Sequence, residues 1–157
     1  MPSFRQVSLT AATVLALAAA LPAQAQSRFT VSADGQEVTD SSTKLVWKRC
    51  VEGMKWDGKT CGGKATKLKL ADAKDMTKGG NWRLPTKDEL AGLLDKNGKK
   101  KSLDKVSFPA TPAKLTWALR PEATDNLNHW LVDMGNGKAF GNTRAGANYV
   151  RLVRSGS

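Results

Sequence analysis

The chain has 157 residues, 40% of them hydrophobic and 25% charged, with 25 Lys and Arg against 14 Asp and Glu and a formal charge of +11. That length fits one domain, and the composition excludes a disordered or fibrous chain. One histidine and two cysteines leave little material for metal or nucleophile chemistry, and the surplus of cations points to anionic partners.

Residues 1–25 form the first element. Arg5 supplies a basic start, residues 11–21 are apolar, and Ala23-Gln24-Ala25 is a small-x-small cleavage pattern. This is expected to be a secretory signal peptide cleaved after Ala25, because the apolar run is shorter than the roughly 20 residues a spanning helix needs. An uncleaved anchor is the competing reading. Without Arg5, the remaining 24 basic and 14 acidic side chains leave a formal charge of +10. Residues 26–157 are expected to form one exported domain, periplasmic or secreted, with no membrane span after cleavage.

From Phe29 to Cys50 the chain carries two short alternating runs around Asp40-Ser41-Ser42-Thr43, whose side chains favour a turn. A β-hairpin is predicted, with Val38, Leu45 and Trp47 inward. Cys50 and Cys61 flank a short segment with an Asp57-Gly58 turn signal. In an oxidising compartment these two cysteines are expected to form a disulfide with Trp56 packed over it. A metal pair competes poorly, since His129 is remote and zinc wants four ligands.

Leu68, Leu70, Ala71, Ala73 and Met76 predict a helix over residues 70–78 ended by Gly79-Gly80. The stretch "NWRLPTKDEL" follows at 81–90. Pro85 holds Leu84 extended, Thr86 is the expected N-cap, and Glu89 three residues on completes a capping box. Leu90, Leu93 and Leu94 then share one helical face. Residues 95–114 are polar, with Asn97-Gly98, Pro109 and Pro112, and read as a loop crossing the surface. The last third predicts an antiparallel set near 115–119, 129–134, 137–142 and 148–154, with Asn136-Gly137 as a two-residue hairpin turn.

"VTDSSTKLVWKRC", "WRLPTKDEL", "HWLVDMGNGKAF" and "YVRLVR", in that order, resemble the landmarks of the Lcl C-terminal domain family, bacterial domains named after a collagen-like adhesin. The helix junction also resembles formylglycine-generating enzymes. The resemblance implies an α+β, C-type-lectin-like fold: two helices flanking a twisted antiparallel sheet, with the N- and C-terminal strands close together. It also implies binding of sulfated glycosaminoglycans, the activity associated with that adhesin. Two departures stand out. Members usually carry Gly where this chain has Lys44, and the segment around Trp117 reads "TWALRPEA".

Catalysis is not expected. Cys50 and Cys61 sit in the early loop and not on the late strands where the oxidase relatives would place thiols, and His129 beside Trp130 reads as a packed or edge histidine. No cofactor or metal is expected. Asp125, Asn126 and Asn128 offer calcium-type oxygens but read more simply as a polar loop. The candidate binding residues are Lys96, Lys99, Lys100, Lys101 and Lys105 in one loop, then Arg120 and Arg144, with Arg151 and Arg154 adding late charge. Export argues against nucleic acid as the partner. An anionic polysaccharide or envelope polymer is the leading expectation. A protein-interaction module of the envelope, including a homo-oligomer, is the alternative, and an enzyme of unknown reaction comes third.

Overall fold

In a computed structural model, the structure describes residues 27–95, 101–120, 129–142 and 146–156. The signal-peptide expectation lies outside them. Strands β1 (Phe29–Val31), β2 (Glu37–Asp40) and β3 (Leu45–Lys48) run as an antiparallel meander. The predicted hairpin is its second turn, at residues 41–44. Val38 and Trp47 face each other across the ladder and are fully buried, and Leu45 is half-buried. Strands β4 (Met54–Trp56) and β5 (Cys61–Gly63) form a small ribbon that places Trp56 opposite Cys61. Cys61 is bonded to Cys50, with Cα atoms 5.6 Å apart.

After β6 (Lys67–Leu68), helix α1 covers Leu70–Asp75, shorter than predicted, and turns carry the chain to Gly79. The junction at 81–90 forms as read. Arg83 bridges to Val153, Thr86 caps helix α2 (Lys87–Gly92), and its hydroxyl accepts from the Glu89 N–H while the Glu89 carboxylate accepts from the Thr86 N–H. Leu90, Leu93 and Leu94 are buried, the last already in strand β7 (Leu94–Asp95), which pairs with β8 (Ser102–Leu103).

The segment from 95 to 114 departs from a surface crossing: Ser107 and Phe108 are buried, and Phe108 packs with Trp47, Leu90 and Val132. A large ring in a polar stretch releases more by burial, roughly 2 kcal/mol or more, than the local polarity opposes. Strands β9 (Leu115–Ala118), β10 (His129–Asp133) and β11 (Ala139–Asn142) are antiparallel. Their hairpin is wider than the expected two residues. The Gly137 N–H donates to the Asp133 carbonyl at 2.7 Å, closing a loop over 134–137 with Gly137 at φ 72°. The single strand expected over 148–154 is two, in different sheets: β12 (Asn148–Tyr149) and β13 (Val153–Ser155).

The larger sheet has the order β11-β10-β9-β12-β6, and its β12–β9 pairing is parallel, so the last third is not wholly antiparallel. The other has the order β1-β2-β3-β13, which places the first and last strands in one sheet, on its opposite edges. The architecture is mixed α+β. Strand alternation gives the larger sheet two buried faces. Ala118 and Val132 meet Trp47 and α2 on one face, while Trp117 and Leu131 meet Leu84, Ala73 and Leu152 on the other.

Candidate functional site

The 104–113 segment builds the site. Asp104 opens it: its carboxylate accepts from the Val106 N–H at 2.9 Å and the Ser107 hydroxyl at 2.8 Å, and its carbonyl accepts from the Phe108 N–H at 2.9 Å. That tight turn drives Phe108 inward and leaves Lys105 and Val106 outside. Ala110, at φ 53°, and the Thr111 hydroxyl, which donates to the Phe108 carbonyl at 2.9 Å, then redirect the chain toward β9.

Facing this segment is the β10–β11 hairpin. The Asp133 carboxylate accepts from the Gly135 N–H and from the Asn136 amide, both at 2.8 Å. A groove of about 460 Å³ lies between the two. Its floor is Leu103, Phe108 and Met134, its far wall is Ala110, Ala113 and Gly135, and Lys101 and Lys105 stand on its rim. Both lysines are exposed, and neither makes an ion pair with another described residue. Asp104 and Asp133 are turned into their own loops, and no described acidic residue lines the groove.

Two buried arginines fix the groove from behind. Arg49 donates to the carbonyls of Ser107 at 3.2 Å and Val106 at 3.0 Å, and its guanidinium lies 3.5 Å over the Trp56 ring. Trp56 is therefore covered by Arg49. Arg151 donates to the carbonyls of Lys48 and Arg49 and to the Thr111 hydroxyl, all at 2.6 Å, and stacks 4.9 Å over Phe108. Burial pulls both guanidiniums down, Arg151 to about 9, and no described carboxylate pairs with either. Arg151 thus adds no surface charge, contrary to its expected part in a cationic face.

The other predicted residues scatter. Lys96, Lys99, Lys100 and Arg144 lie outside the described residues, as do Asp125, Asn126 and Asn128. Arg120 is exposed at the opposite end of β9 from Ala113, roughly 20 Å away by strand rise. His129 is buried edge-on to Trp117, with centroids 6.4 Å apart. No group of three or more His, Cys, Asp or Glu placed to hold a metal exists among the described residues. Arg154 and Lys48 both approach the Trp82 ring, at 5.3 and 4.9 Å, but Arg154 is paired with Glu37 at 2.7 Å, so that face is partly neutralised.

Sequence reasoning missed the groove floor. Phe108 sits in "VSFPATP", where two prolines suggest an open loop, and the one available signal was a bulky ring with no other reason to be there. Residues 36–154 match the family model of the Lcl C-terminal domain. No curated protein and no solved structure matches the chain.

Proposed function

The chain belongs to the Lcl C-terminal domain family, and from that premise we propose an exported, non-catalytic module that binds anionic glycans or envelope polymers through its basic surface. The observation that carries this reading is the pairing of Lys101 and Lys105 on one groove whose lining holds no described acidic residue, Asp104 and Asp133 being held in their own turns. Two exposed ammonium groups in such a concave lining suit sulfate, phosphate or carboxylate groups repeated along a polymer. The bonded cysteines and the small-x-small pattern support an oxidising location, periplasmic or secreted. A C-type-lectin-like architecture is part of the same proposal, supported by two short helices and by the terminal strands sharing a sheet.

Heparin retention at low and high salt tests it. Exposed charges are screened over about 8 Å at physiological ionic strength, so retention should fall steeply with salt. Lys101→Ala/Lys105→Ala should elute earlier than wild type, and Lys99→Ala/Lys100→Ala/Lys101→Ala should do the same. Equal elution of all three proteins removes the lysine loop from the reading.

The competing reading is a protein-interaction module of the envelope, including self-association. Its support is Val106, 78% exposed, and Phe140, 46% exposed on the edge strand β11. Sedimentation that is independent of salt but lost in Val106→Ser or Phe140→Ser would favour it over the glycan reading.

A further inference from the structure

The groove has a property that a purely electrostatic site does not need. Its floor is the side chains of Leu103, Phe108 and Met134, and its volume, about 460 Å³, falls among those of small-molecule sites, about 300–1,000 Å³. A polymer held by charge alone needs only the rim. We infer that this groove binds a single-chain anionic amphiphile, with an alkyl or acyl chain lying over Leu103, Phe108 and Met134 and the anionic headgroup held between Lys101 and Lys105. The inference rests on the glycan reading only in using the same two lysines.

Charge complementarity commits the site to this occupant. The carboxylates of Asp104 and Asp133 are held within their own turns, Asp104 by Val106 and Ser107 and Asp133 by Gly135 and Asn136. Both carboxylates keep their charge, but the described lining of the groove itself carries Lys101 and Lys105 and no acidic residue, so an anion seated in it meets two ammonium groups first. Apolar surface continues inward from the rim, so an anion carrying a chain gains both contacts, and a bare anion or a neutral chain gains one. The backbone around the site is held before any ligand arrives, since Arg49 grips the carbonyls of Val106 and Ser107 and Arg151 grips Thr111. Preorganisation of this kind lowers the ordering cost of binding.

Titrations of the full exported domain with decanoate, decanol and inorganic sulfate, followed by amide and methionine-methyl NMR below the micelle threshold, test the inference. Decanoate should saturate, shift residues 101–113 and the Met134 methyl, and bind about tenfold or more tighter than decanol or sulfate, a difference of about 1.4 kcal/mol. Lys101→Ala/Lys105→Ala should reduce decanoate affinity about tenfold. Ala113→Leu, which fills the far wall without touching charge, should reduce it by a similar factor while leaving heparin elution at the wild-type salt concentration. Circular dichroism melts matching wild type show that both variants are folded. Equal affinity for decanoate and decanol, shifts centred elsewhere, or an Ala113→Leu protein with wild-type decanoate affinity overturns the inference. Heparin retention without decanoate binding overturns it and leaves the glycan reading standing; decanoate binding without heparin retention supports it and removes the glycan reading.

Discussion

Arg83 and Glu89 are joined by two parallel hydrogen bonds, at 2.8 and 2.7 Å, across the strand-to-helix junction. The same Glu89 carboxylate accepts the Thr86 N–H at 2.8 Å. One side chain thus caps α2 and ties the helix to the extended segment that bridges Val153. Glu89→Ala should destabilise the domain by about 2 kcal/mol, combining a lost cap with a lost bidentate pair. Glu89→Gln keeps the cap acceptor and should cost about half as much. Urea unfolding of the two variants checks the order.

A second ion pair sets the acid limit of the fold. Burial alone would raise the Asp40 carboxyl, but hydrogen bonds from Arg28 and Ser42 outweigh it and hold the group at about 2. The folded value lies below the unfolded one, so the contribution is complete above about pH 4 and is lost as pH falls through about 2. Roughly 2 kcal/mol should disappear across that window, since each unit of displacement is about 1.4 kcal/mol. Burial raises Glu89 as well, but Arg83 and Thr86 together outweigh it, so its carboxyl is lowered and adds to the slope. Unfolding free energies of wild type and Asp40→Asn at pH 2 to 5 should converge toward the acid end.

What the sequence made legible follows from how local each determinant is. Thr86, Glu89 and Pro85 act within five residues, and their junction formed as read. The Cys50–Cys61 bond followed from an expected oxidising compartment and a count of two cysteines. Phe108 was misplaced because its burial depends on Trp47, Leu90 and Val132, contacts that no local pattern reports. The break between β12 and β13 was hidden for a related reason. Val150 and Leu152 continue the apolar alternation of a strand, while the chain between them leaves one sheet for another and Arg151 points at Thr111. The groove combines both kinds of residue, so its lysines were visible and its floor was not.

Lys44 adopts the left-handed conformation that favours glycine, at φ 59°. Its carbonyl accepts the Gly156 N–H at 2.9 Å, which holds that conformation in place. A non-glycine residue there costs about 1 kcal/mol, partly offset by the extra freedom glycine has when unfolded. Lys44→Gly should therefore raise stability by about 0.5 kcal/mol, and Lys44→Val should lower it, because a β-branched side chain tolerates positive φ poorly. Thermal melts of the pair should move in opposite directions.

The disulfide joins residues only 11 apart, and in the chain-entropy model a loop that short contributes roughly 3 kcal/mol. Reduction should lower the urea midpoint accordingly. Both sulfurs lie in buried residues beside the β4–β5 ribbon, so reduction by dithiothreitol should be slow in native buffer and fast in urea. Thiol trapping followed over time separates these rates.

Arg151 is the last test of how the groove is held. Its three hydrogen bonds, all 2.6 Å, join β3, Arg49 and Thr111, and its burial is uncompensated by any described carboxylate. Replacement by methionine removes a costly buried charge but strands two carbonyls, each worth about 1–3 kcal/mol if left unmet. The second effect should win, because one amino nitrogen serves both carbonyls and methionine has no donor to replace it. Arg151→Met should lose about 3 kcal/mol. Hydrogen exchange should quicken first at residues 104–111, since Thr111 loses its anchor while β1 and β2 keep theirs. Faster exchange spread evenly over both sheets would instead make Arg151 a general core residue with no special hold on the groove.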